Sequence, residues 1–234
     1  MRMKSWPLAA AMCMAAPAFG ITVNMTGFRY QPPTDVTVTS TDESLSFSGS
    51  AGLFVGEADG PLLASSLRAR IGVAANTTFA AYCIELQQEF DFGVPYDYST
   101  ATGASYLDAS KADALSRFLT AGRDFATDSA TSAAIQAGIW EIVYETGNTF
   151  GLSTGSLQVA PTDGASVQAF GVVDGLLAGL ARYGAEVPIT ILTNPSTQDF
   201  LVVPTNVPEP STWALLAAGL GATGWLARRR RAGA

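Results

Sequence analysis

The 234-residue chain contains no histidine. That absence removes Ser-His-Asp and Cys-His catalytic arrangements, histidine metal sites and an imidazole general base in one step. Cysteine is almost as scarce, with only Cys13 and Cys83. Charge is thin at 14% of residues, lysine is rare, and the balance of 20 acidic against 13 basic side chains leaves a net charge of -7. Nucleic acid is therefore not an expected partner. No phosphate-binding loop, dinucleotide fingerprint, internal repeat or heptad pattern is present. Glu85, Glu89, Asp91 and Asp97 lie close in sequence but lack the spacing of a calcium loop, so they are expected to be surface carboxylates. No metal, no cofactor and no enzymatic turnover are expected.

What is present is concentrated first at the two ends. Residues 1–20 hold a short basic segment (Arg2, Lys4), an apolar stretch from Trp6 to Met14, and small residues ending Ala16-Pro17-Ala18-Phe19-Gly20. This is the pattern of a secretory signal peptide, with cleavage expected after Gly20. Cys13 would leave with it; retaining Cys13 as an acylated residue would want a small residue where Met12 stands. Near the other end, Val207-Pro208-Glu209-Pro210 is followed by an apolar run from Trp213 to Ala227 and by Arg228, Arg229, Arg230 and Arg231. The run is short for a span, since crossing the hydrocarbon core takes about 20 helical residues. Flanking Ser211 and Thr212 and snorkelling arginines would extend its reach, with Trp213 as a membrane anchor. The arginines would hold the C-terminus in the cytoplasm, leaving the rest of the chain outside.

Pro-Glu-Pro, a short apolar helix and a terminal arginine cluster, in that order, resemble the PEP-CTERM domain of Gram-negative bacteria. An ordinary tail anchor would explain the helix and arginines but not Pro208-Glu209-Pro210. The resemblance spans Val207 to Ala234 and implies an exosortase-type membrane protease as partner. It also implies an inner-membrane anchor through 211–234, at least transient, before display at the cell surface or release.

Residues 21–203 read as one exported domain, with 204–210 as a linker. Strand patterns appear from 21 to about 57, at 67–73, 78–86 and 96–99, and again at 187–193 and 198–203. Helical spacing governs the middle: 110–122, then 130–145 with Ile135, Ile139, Ile142 and Val143 on one face, then 165–183 with Gly184 as its stop. Strands, helices, then strands predict an α+β fold, an antiparallel sheet or barrel with an inserted or packed helical segment, plus a C-terminal transmembrane helix.

Cys83, alone in the exported part, cannot form an intrachain disulfide. Taken by itself it reads as a small buried hydrophobe on a strand. Its neighbourhood says more. Tyr82-Cys83-Ile84, then Gln136-Ala137-Gly138-Ile139-Trp140, then Gln198-Asp199-Phe200-Leu201 resemble, in order, the three motifs of the thioester domains of bacterial surface adhesins. The likeness spans about residues 75–203, and Gly138 departs from the alanine usual there. The resemblance implies an internal thioester between Cys83 and Gln198, supported by Tyr82, Gln136 and Trp140. A surface or matrix nucleophile would then be captured covalently, for adhesion or crosslinking. Such a group must be kept from water; Tyr82, Trp140 and Phe200 are expected to shield it. Gln87 and Gln88 stand one and two positions too late for a complement-type local ring. The rival expectation is a non-catalytic structural or binding module of the envelope or exopolysaccharide matrix, with Cys83 as a core residue.

Overall fold

The computed structural model describes residues 21–41, 45–59 and 78–203. The nine strands among them are β1 (Ile21–Phe28), β2 (Thr34–Ser40), β3 (Ser46–Ala51), β4 (Phe54–Asp59), β5 (Thr78–Cys83), β6 (Pro95–Thr102), β7 (Leu157–Pro161), β8 (Thr190–Thr193) and β9 (Phe200–Val203). The α-helices are α1 (Gly103–Tyr106), α2 (Ala109–Gly122), α3 (Ser129–Tyr144) and α4 (Val167–Ala178), with 3-10 turns at Arg123–Phe125 and Leu180–Arg182. Six strands close into an antiparallel barrel in the order β1-β4-β5-β9-β8-β6, and β3-β2-β7 form a second, three-stranded sheet.

Alternation builds the strands. Ile21, Val23 and Met25 of β1 are buried while Asn24 and Thr26 are not, and Val36 and Val38 of β2 alternate with exposed Asp35, Thr37 and Thr39. Register then puts Phe54 beside Ala81, Cys83 beside Phe200 and Leu192 beside Phe200, on one continuous buried face. The chain leaves the small sheet for the barrel between β3 and β4 through Gly52, whose φ of +148° few side chains tolerate. There it passes close under α3: a Cβ on Gly52 would lie 2.9 Å from Ser132 Oγ.

Helix α3 is the axis around which the layers pack, and it touches α2, α4, β2, β3 and β7. Every residue from Ser132 to Ile142 is buried, as expected of a helix covered on all sides. It starts at Asp128, whose carboxylate accepts from the Thr131 N–H at 2.8 Å. Gly138 owes its identity to packing: a Cβ there would collide with the Phe118 ring of α2.

The predicted α+β class, with helices packed on a barrel, agrees with this architecture. Several boundaries differ. The strand expected over 78–86 stops at Cys83, and the strands expected to start at 187 and 198 begin at Thr190 and Phe200. Helix α4 ends at Ala178 with Gly179 as its cap, well before Gly184, because Gly179 already lets the chain tighten into a 3-10 turn. Strand β7 was not anticipated; its five residues sit in a Gly/Ser/Thr-rich stretch and gain strand identity from β2. The strand expected at 67–73 and the helix expected over 211–227 lie outside the described residues. Among those described, no helix is long and apolar enough to cross a membrane.

Candidate functional site

Cys83 ends β5 at the rim of the barrel, and its place there is a matter of hydrogen-bond parity. In an antiparallel strand, successive residues turn their backbone groups to opposite neighbours. Ile84 N–H bonds the Asp199 carbonyl at 3.1 Å, so Cys83 faces the other way, toward β4. There the partner has run out: Ala81 pairs with Phe54, the first residue of β4. The side chain of Gln136 takes the missing place. Its Oε1 accepts from the Cys83 N–H at 2.9 Å and its Nε2 donates to the Cys83 carbonyl at 2.8 Å. One carboxamide thus imitates a neighbouring strand, and both bonds are fully buried.

Gln198 approaches from the opposite edge of β5, just ahead of β9. Its side-chain Nε2 donates to the Glu85 main-chain carbonyl at 2.9 Å, while its main-chain carbonyl accepts from the Tyr98 hydroxyl at 3.1 Å. Asp199 holds the position from the other side: its N–H donates to Glu85 Oε1 at 3.0 Å, and its carboxylate accepts from the Tyr106 hydroxyl at 2.7 Å and the Asn194 N–H at 2.7 Å.

Cys83 and Gln198 line a common cavity of about 340 Å³. Its walls come from the barrel rim (Phe28, Phe54), from β3 (Phe47, Gly49, Ser50), from the segment Leu86–Phe92 and from Trp140 of α3. The rings interlock edge to face. Phe47 and Trp140 lie 5.7 Å apart, Phe54 and Phe90 5.5 Å, and Phe90 and Phe200 5.0 Å. The Trp140 indole N–H is buried without an acceptor among the described residues. Phe92 is exposed and marks where the cavity meets solvent.

Burial sets the ionisation of the site. Desolvation pushes the Cys83 thiol far up, and the Glu85 carboxylate adds to the shift, so the free cysteine stays a neutral thiol. Burial also raises Glu85, against the lowering effect of the Asp199 N–H. Tyr98 and Tyr106 are pushed up by burial as well, and Tyr144, whose hydroxyl accepts from the Leu86 N–H at 2.8 Å, is raised to about 12. A low-charge, ring-walled cavity of this kind suits uncharged reacting groups better than a thiolate nucleophile.

Of the residues named from sequence, Cys83, Gln136, Trp140 and Gln198 converge here. Tyr82 does not. It alternates with Cys83 along β5, so its ring points to the other face of the strand, where it is buried with no partner for its hydroxyl among the described residues. Phe200 backs the wall through Phe54 and Phe90. Glu85 corrects the expectation of a surface carboxylate: it is half-buried and grips residues 198 and 199. Glu89, Asp91 and Asp97 are exposed. Glu85 was missed because strand alternation gives no guide beyond the strand's end; its position two residues after Cys83 was the available signal. Among the described residues no group of three or more Cys, Asp or Glu is arranged to hold a metal ion. Pro208, Glu209, Pro210, Trp213 and Arg228–Arg231 lie outside the described residues.

Comparison with known proteins bears on that C-terminal end. No curated protein and no solved structure matches the chain. Residues 206–231 match the PEP-CTERM protein-sorting motif, which marks exported, surface-sorted proteins and implies processing by an exosortase, a membrane protease.

Proposed function

We propose that residues 21–203 form an exported domain that stores an internal thioester between Cys83 Sγ and Gln198 Cδ for covalent attachment at the cell surface. The observation that carries this reading is that two side chains from distant parts of the sequence line one small, ring-walled cavity. Supporting it, Gln136 fixes the Cys83 backbone from one side while Glu85 and Tyr98 fix Gln198 from the other. In the reaction the thiol adds to the Gln198 carboxamide carbon, the C–N bond breaks, and ammonia leaves. Both reactants and the thioester are uncharged, so burial penalises neither end of the reaction. A surface or matrix nucleophile then takes the acyl group of Gln198 and frees the Cys83 thiol, in a single attachment rather than turnover.

Export would use the leader at 1–20, and the apolar run at 211–227 would hold the chain in the inner membrane until an exosortase acts near Pro208-Glu209-Pro210. Deleting Pro208–Pro210 is expected to change surface display or the size of the mature protein; unchanged size and location would count against this route.

Intact-mass measurement decides the chemistry. Freshly made wild-type protein should lack the mass of one ammonia, and Cys83→Ala and Gln198→Ala should each restore it. Full mass in the wild type would overturn the thioester. That outcome would favour a non-catalytic envelope or matrix module, a reading that draws on the burial of Cys83 at 5% exposure and its raised thiol.

A further inference from the structure

Glu85 is joined at two points to the Gln198 side of the candidate bond and stands two residues beyond Cys83. Its main-chain carbonyl accepts from Gln198 Nε2, the nitrogen that would depart, at 2.9 Å. Its carboxylate accepts from the N–H of Asp199, the next residue, at 3.0 Å. It follows Cys83 by two positions in the extended segment that continues β5, and its charge is felt at the Cys83 thiol. Half-buried, it is more exposed than either Cys83 or Gln198.

We propose that Glu85 is the proton carrier for thioester formation at Cys83 and Gln198. The inference rests on the thioester reading above and adds the group that makes it chemically feasible. A buried thiol is a poor nucleophile until its proton goes somewhere, and an amide nitrogen is a poor leaving group until it gains one. The Cys83 S–H proton passes to the Glu85 carboxylate as sulfur bonds to Gln198 Cδ. The C–N bond then breaks, nitrogen takes the proton back from Glu85, and ammonia departs. One S–C bond replaces one C–N bond, and no outside reagent is consumed. The titratable groups around Glu85 are Asp199 ahead of β9, Tyr106 of α1, Tyr144 of α3 and Cys83 itself. Burial raises the Glu85 carboxyl, which brings its loss and gain of a proton closer to neutral pH.

The test follows intact mass with time after cell-free synthesis of the full chain, in wild type, Glu85→Gln and Glu85→Asp. Gln keeps an Oε1 acceptor for Asp199 and leaves the main-chain carbonyl in place, so it removes the proton function with little change of shape. General acid–base groups are worth about 10² to 10⁴ in rate. Ammonia loss is expected to slow at least about 10²-fold in Glu85→Gln and by less in Glu85→Asp. In the wild type it should also slow as pH falls through the Glu85 titration, and this acid limb should vanish in Glu85→Gln. A residue that only held the fold would leave the acid limb in place. Ammonia loss at the wild-type rate in Glu85→Gln, or an acid limb surviving in Glu85→Gln, overturns the role of Glu85 and leaves the thioester standing. Full mass in the wild type overturns both.

Discussion

The middle and the far end of α3 solve the same problem with opposite chemistry. At mid-helix, Gln136 supplies a neutral carboxamide to backbone groups of Cys83 that no strand among the described residues reaches. At its far end, Glu141 and Glu145 supply carboxylates to the backbone of the loop that leads into β7. Glu145 accepts from the N–H groups of Thr146, Gly147, Ser156 and Leu157, and Glu141 accepts from that of Gly151 at 2.9 Å. The comparison shows what each clamp is fitted for. A neutral clamp does not itself titrate, whereas a charged clamp is strong but titrates.

The largest effect is expected from breaking the neutral clamp. Gln136→Ala orphans a buried N–H and a buried carbonyl on Cys83, at a cost of about 2–5 kcal/mol. Chemical denaturation should show the loss, and the protein should retain the mass of ammonia because Cys83 is no longer held. Next comes the packing between the two clamps. Gly138→Ala drives a methyl group into the Phe118 ring and is expected to destabilise by about 1–3 kcal/mol, read as a lower melting temperature. A gain in stability would show that α2 yields freely.

The charged clamp should then betray itself through pH, and its two members have opposite signs. Glu145 pays for burial but gains more from its Ser156, Gly147 and Leu157 hydrogen bonds, which hold it down at about 2. Its contribution is present above the ordinary value of 4.5 and is lost as pH falls toward 2. Solvent screening keeps this to about 1–2 kcal/mol, so Glu145→Gln should cost that much at pH 6 and little once pH falls below about 2. Glu141 is raised to about 7, chiefly by burial, and its Oε2 has no partner among the described residues. Its folded form favours the proton, so stability from this group is fullest below 4.5 and is lost as pH rises through about 7. Glu141→Gln should therefore flatten the decline of melting temperature between pH 5 and 8. An unchanged slope would remove Glu141 from the clamp.

The smallest expected effect is at the start of the helix. Asp128→Ala deletes the cap to Thr131 and should cost about 1 kcal/mol, with the cavity unaltered.

What could be read beforehand followed periodicity. Strands β1 and β2 and helix α3 carry clean alternation or three-and-four spacing. Strand β7 was invisible because pairing with β2, rather than its own sequence, makes it a strand. The site was legible only as an ordered set of motifs around Cys83, Gln136 and Gln198. Glu85 and the Phe54–Phe90–Phe92 wall depend on where β4 stops and how the following loop folds back, which local pattern does not encode.

The barrel order has a consequence in time. Strand β9 sits between β5 and β8, so the ring of strands cannot close until residue 203, the end of the domain, has joined it. A chain made from its N-terminus holds Cys83 early and Gln198 almost last. On the proposed reading, the bond between them waits until the whole domain exists, and an unfinished chain carries the cysteine without its acyl partner.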